Sequence, residues 1–171
     1  MPLLVESLYR HSAWASERLI EVCETLSDEQ LDAPRENAAG SIRETLVHTL
    51  SAEQYYLSRV SSYLPAGRVQ EGEEFPGFDV LKRAARANGE ALAAAAAAHT
   101  PDDVVPGRGS DTFREADASV FLIQAMNHSA EHRTQILSIL TTLGHGPPAF
   151  SEQIDGWSWG AASGAMRPLA E

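Results

Sequence analysis

The chain has 171 residues, of which 43% are hydrophobic and 22% charged, with 24 acids against 13 bases and a formal net charge of −11. That length suits one domain, taken here as residues 1–171, with a core large enough to need no disulfides. The acidic balance argues against nucleic-acid partners and against docking on anionic membranes, because both rest on clustered Lys and Arg.

The start of the chain, MPLLVESLYRHSAW, gains charge and histidine too early for a signal peptide. No run of about 18 uninterrupted apolar residues occurs, so no membrane span is expected. The lone Cys23 has no disulfide partner, which makes a reducing cytoplasm the expected compartment. Cys23 falls in an apolar helical pattern and reads as a small buried hydrophobe.

Over residues 3–26 the apolar positions Leu4, Leu8, Ala15, Leu19, Val22 and Leu26 recur mostly every three or four residues, which predicts an amphipathic helix. Ser27 and Gln30 fit a capping box for a short turn. Pro34 and Gly40 mark a loop. Ser41 with Glu44 forms a second Ser-x-x-Glu box, so a helix is expected from Ile42 to about Leu64, stopped by Pro65. The Gly, Pro and acid content of 65–78 predicts a long loop, able to serve as a crossover or to line a functional mouth. A third long helix is expected over roughly 79–98 and a loop over 101–114. A fourth should run from about Ala116 to Leu143, with Gly144 as its terminal glycine. The tail, with IDGWSWG, leaves room for one brief helical turn. No strand alternation is visible. The expected fold is all-α: a four-helix bundle with a long loop connection and a short C-terminal tail.

His128 and His132 stand four apart on the expected fourth helix, so both imidazoles share one face and are close enough to share a metal ion. They interrupt the stripe formed by Ala125, Ile136 and Ile139, where unpaired buried imidazoles are costly. His48, in RETLVHTLSAEQYY, is the third candidate, with Thr45, Ala52 and Tyr55 on its face. For His48 alone, a hydrogen-bonded core histidine is the preferred reading over a ligand. Three imidazoles suit a borderline divalent ion and leave a position open for water or substrate. His11, His99 and His145 fall in surface or loop contexts and are left out of the site.

Four segments together resemble the DinB-like (damage-inducible) superfamily of metal-binding four-helix bundles, related to bacillithiol and mycothiol S-transferases. They are YRHSAWASERLI at 9–20, TLVHTLSAEQYYL at 45–57, NHSAEHRTQI at 127–136 and LGHGPPAFSEQIDGW at 143–157. The resemblance implies that His48, His128 and His132 are the metal ligands, with Zn or Ni as the ion. It also implies a homodimer, and a small-molecule thiol as co-substrate of an S-transferase. The family often has a further histidine directly before the second motif histidine, where this chain has Glu131. Glu131 points about 100° away from His132 and reads as a solvated charge rather than a ligand.

Around the site, Tyr55 or Tyr56 offers a phenol. Trp14 is either a cavity wall or a core residue. Gln135 either orients a ligand or makes an inter-helix hydrogen bond. Arg133 is either a carboxylate anchor or, the preferred reading, a surface cation. The function classes left open are metal-assisted thiol transfer to electrophilic small molecules, metal-dependent hydrolysis, and non-enzymatic stress-related metal binding. A bundle whose histidines only hydrogen-bond is the fourth.

Overall fold

The structure, a computed structural model, describes residues 4–33, 40–62, 67–109, 111–145 and 153–166. Its elements in chain order are α1 (Leu4–Cys23), α2 (Asp28–Asp32), α3 (Ile42–Val60), α4 (Phe78–Ala98), β1 (Val104–Pro106), β2 (Glu115–Asp117), α5 (Ala118–Thr142) and α6 (Gly156–Ala162).

Both capping boxes form. The Ser27 and Gln30 side chains each accept the other's backbone N–H, as do those of Ser41 and Glu44. These bonds satisfy N–H groups that a helix start leaves without partners. They fix α2 and α3 locally, and so fix where His48 falls along α3. That helix ends at Val60, short of the expected Leu64, and Leu64 and Pro65 lie outside the described residues. Pro34, Pro147 and Pro148 lie outside them too. At the far end of α5, Gly144 turns the chain with φ 85°, a conformation that favours glycine over any residue with a Cβ.

The expectation of no strands needs correction. β1 and β2 form an antiparallel ribbon that pairs Val104 with Asp117, Val105 with Ala116 and Pro106 with Glu115. Three-residue strands are too short to show a period in sequence. The ribbon holds because Val105 is buried against the core while its neighbours face outward. β2 runs straight into α5, which therefore begins at Ala118 rather than Ala116.

α1 lies along α4, and α3 lies along α5. Two apolar clusters fill the bundle. The lower one contains Leu19 and Ile20 of α1, Leu46 and Leu50 of α3, Leu81 and Ala85 of α4, and Ile136 and Leu140 of α5. The upper one contains Tyr9, Leu57, Leu92, Phe121 and Leu122, together with Val105 of the ribbon. Chain direction follows from membership. α1 and α5 run from the upper cluster to the lower, while α3 and α4 run from the lower to the upper. The connection between α3 and α4 must therefore travel back down the bundle, and Val69 and Phe75 of that connection pack on the lower cluster. The connection, described over residues 67–77, is thus a crossover. Cys23 is fully buried, and burial pushes its thiol pKa up to about 12, so it packs as a hydrophobe. No helix among the described residues is long and apolar enough to cross a membrane.

Candidate metal centre

His48 lies on α3, and His128 and His132 lie on α5. Thr45 and Thr49 flank His48 in sequence and are buried, each returning its hydroxyl to a carbonyl one turn back, Ser41 and Thr45 respectively. Those bonds let polar side chains face the bundle without losing hydrogen bonds. On α5 the four-residue spacing stacks His128 and His132 one turn apart. His132 is buried, while His48 and His128 are half-buried.

The three rings converge on their Nε2 atoms. His128 Nε2 stands 3.2 Å from His48 Nε2 and 3.1 Å from His132 Nε2. The ligand atoms of all three lie within 4.8 Å of one another. Imidazole nitrogens about 2.0–2.1 Å from one ion, at tetrahedral angles, stand roughly 3.3–3.4 Å apart. The two spacings to His128 are near that value.

The outer nitrogens decide what the inner ones hold. His48 Nδ1 is 3.1 Å from the Glu71 carboxylate, an acceptor. His132 Nδ1 is 2.7 Å from Gln135 Oε1, also an acceptor. Each Nδ1 therefore carries the proton, and in the neutral ring each Nε2 presents a lone pair to His128. His128 can give an Nε2–H to only one of them, so at least one of the two close N···N contacts is left without a hydrogen bond. His128 Nδ1 is itself buried without a hydrogen-bond partner among the described residues. Burial first, and then the neighbouring imidazoles of His132 and His48, push the His128 pKa down to about 4, so the ring is neutral at physiological pH. Three imidazoles aimed at one point, two held from outside through their Nδ1 atoms, match the donor set of a borderline divalent ion.

A cleft of about 420 Å³ opens beside His48. Arg43, Val47, Glu71 and Phe75 are among its walls. Glu71 belongs to the crossover, in a turn closed by Gly72 at φ 79°.

Gln135 orients a histidine of its own helix, a role between the two considered for it. Glu131 is exposed, as a solvated charge should be. Tyr55 is turned away, its hydroxyl bonded to Arg59 and Asp111. Tyr56 is the phenol near the site, its ring edge-on to His128 at 5.9 Å. Trp14 lines a separate surface pocket with Arg10, Glu17 and Arg86. The preferred reading of Arg133 as a surface cation is wrong. Arg133 is 9% exposed and donates to Ser12 O, Ser12 Oγ and Ser16 Oγ of α1. His11 and His99 are held elsewhere, by Ile154 O and by Val60 O with Asp103.

Residue reading missed Glu71 and Glu53. Glu71 sits in a loop whose contact with His48 depends on the crossover path. Glu53 occupies a core-facing position between Leu50 and Leu57, a signal that was available.

Gln135 yields a prediction. Gln135→Leu keeps the side-chain volume but frees the His132 ring. We expect roughly 10–100-fold weaker metal affinity with little change in apo stability, read by competition with a chromophoric chelator. An unchanged affinity would show that the bond to Nδ1 does not matter.

Comparison with known proteins adds the family. The model described as the DinB family matches residues 1–160. No curated protein and no solved structure matches the chain.

Proposed function

The chain belongs to the DinB family, and we propose that it is a metal protein whose ligands are His48, His128 and His132, with chemistry at the open side of the ion. One observation carries this reading: three Nε2 atoms face one another while Glu71 and Gln135 hold two of the rings by their outer nitrogens. Hydrogen bonding alone leaves at least one close N···N contact in such a cluster unbonded, and a shared cation would satisfy all three nitrogens.

A divalent ion bound there supplies Lewis acidity, which lowers the pKa of a thiol or water. The protein's own part is to hold the imidazoles in place and to leave one side accessible. Zn or Ni suits three imidazoles. Within this reading we favour metal-assisted thiol transfer to small electrophiles over sequestration. The cleft, lined by His48 and Glu71 but by neither His128 nor His132, supports that preference by offering room for a small molecule on the His48 side.

The test is elemental analysis of untagged protein purified without chelators, followed by Zn and Ni titration. We expect about one ion per chain. Less than about 0.1 ion per chain after titration would remove the metal reading altogether. Thiol transfer is then assayed with low-molecular-weight thiols and a chromogenic electrophile, and a metal-loaded protein with no turnover would favour sequestration.

A further inference from the structure

Between the two apolar clusters the bundle carries a polar layer to which all four long helices contribute. α1 supplies Ser12 and Ser16, α3 supplies Glu53, α4 supplies Asn88, and α5 supplies Ser129 and Arg133, all buried. Glu53 sits at its centre. Its carboxylate accepts from Ser129 Oγ at 2.6 Å and from Asn88 Nδ2 at 3.0 Å. Asn88 Nδ2 also lies 3.3 Å from Leu50 O of α3. Arg133, whose charge acts on Glu53, spans to Ser12 and Ser16.

The layer is interleaved with the histidines. Ser129 follows His128, and Arg133 follows His132, so the two pairs occupy adjacent stripes of α5. Glu53 lies further along α3 from His48, on the same helix. Any rotation or slide of α5 against α3 that separates the imidazoles must also break the Ser129–Glu53 bond. Apolar packing tolerates small slides at little cost, whereas a buried hydrogen bond to a carboxylate does not.

We propose that Glu53, held by Ser129 and Asn88, is the positioning residue that sets the register of α3 against α5 and so brings His48 into the metal site. The proposal rests on the three-histidine reading for its metal readout, but its central claim concerns the protein without metal. Ser129→Ala and Glu53→Gln release the register by different means, and neither residue is a ligand. Leu81→Ala, a fully buried lower-cluster truncation, is the control for loss of stability alone.

Two measurements are made on folded samples. In the metal-free protein, nuclear Overhauser contacts between ring protons of His48 and those of His128 and His132 report the register, since the ring centroids lie 5.0 and 4.8 Å apart. In the loaded protein, metal affinity and the Co(II) absorption spectrum report ligand geometry. We expect Ser129→Ala and Glu53→Gln to weaken the ring contacts, alter the Co(II) spectrum and lower affinity about tenfold or more. Leu81→Ala should keep all three near wild type despite its lower melting temperature. Wild-type ring contacts in both Ser129→Ala and Glu53→Gln overturn the proposal, whatever the metal does. If Leu81→Ala loses the contacts equally, the proposal also falls, because general loosening then explains them. If wild type binds no metal while the ring contacts respond as expected, the register role stands and only the metal reading fails. Should Glu53→Gln not fold, Ser129→Ala carries the test, since it removes one hydroxyl and little volume.

Discussion

His128→Ala should reduce bound metal from about one ion per chain to below about 0.1 after dialysis, by elemental analysis. His128 is the shared neighbour in the cluster, its Nε2 close to both others, so its loss leaves two imidazoles and no facial set. The metal-dependent rise in melting temperature should vanish with it. At a free ion concentration of about 100 times Kd, that rise corresponds to about 2.7 kcal/mol. For a chain of this size it amounts to roughly 5–10 °C. The metal-free variant should behave differently. In the folded chain burial and the neighbouring imidazoles push the His128 pKa down to about 4 from its ordinary value of about 6.5. The unfolded chain therefore binds more protons there, and the apo wild type loses stability as pH falls from about 6.5 toward 4. Apo His128→Ala lacks that loss and should gain on wild type over the same window, measured by urea denaturation at several pH values. Metal retained at wild-type occupancy in His128→Ala would mean the ligand set is wrong.

What sequence reading could reach follows from how local each cause is. The helix starts at Ser27 and Ser41 were legible because a capping box is closed within four residues. The His128–His132 pair was legible because helical spacing alone puts the two on one face. His48 was different, because its ring meets the others only if α3 and α5 pack in one register, and no local pattern on α3 states that register. Motif resemblance supplied His48 where periodicity could not. The ribbon at Val104–Pro106 and Glu115–Asp117 was invisible for a similar reason: its bonds join segments across a loop, and each strand is too short to alternate. Arg133 was misread because a charge following a ligand motif looks solvated. Its phase on α5, one turn from Ser129 and Ile136, already pointed inward. A charged residue on a core-facing phase asks for a buried partner elsewhere, and Glu53 on α3 has that same property.

The Glu53–Arg133 pair gives the second large effect. The two are not in direct ion-pair contact, but burial of both costs desolvation that their mutual attraction and their separate hydrogen bonds offset while both are present. Arg133→Leu removes the cation and leaves the Glu53 carboxyl in the core with only Ser129 and Asn88. We expect a loss of about 3–5 kcal/mol at neutral pH, or roughly 6–20 °C in melting temperature. Combining it with Glu53→Gln removes the uncompensated acid, so the double variant should be more stable than the sum of singles predicts by about 1–3 kcal/mol. The pH dependence gives an independent check. Burial already raises the Glu53 pKa above its ordinary value, while Ser129, Asn88 and Arg133 pull it back. Between about pH 4.3 and the folded pKa the folded chain therefore binds more protons there than the unfolded chain does. Stability from this group is present below that pH and is lost as pH rises through the folded pKa. Without Arg133 the folded pKa climbs further, since one group that favoured the charged form is gone. Arg133→Leu should accordingly cost less at pH 5 than at pH 8, and Glu53→Gln/Arg133→Leu should show the same cost at both. Urea denaturation of the four metal-free proteins at the two pH values measures this. Additive singles with a pH-independent Arg133→Leu cost would mean that the two charges do not act on each other, and that Arg133 stabilises the bundle only through its bonds to Ser12 and Ser16.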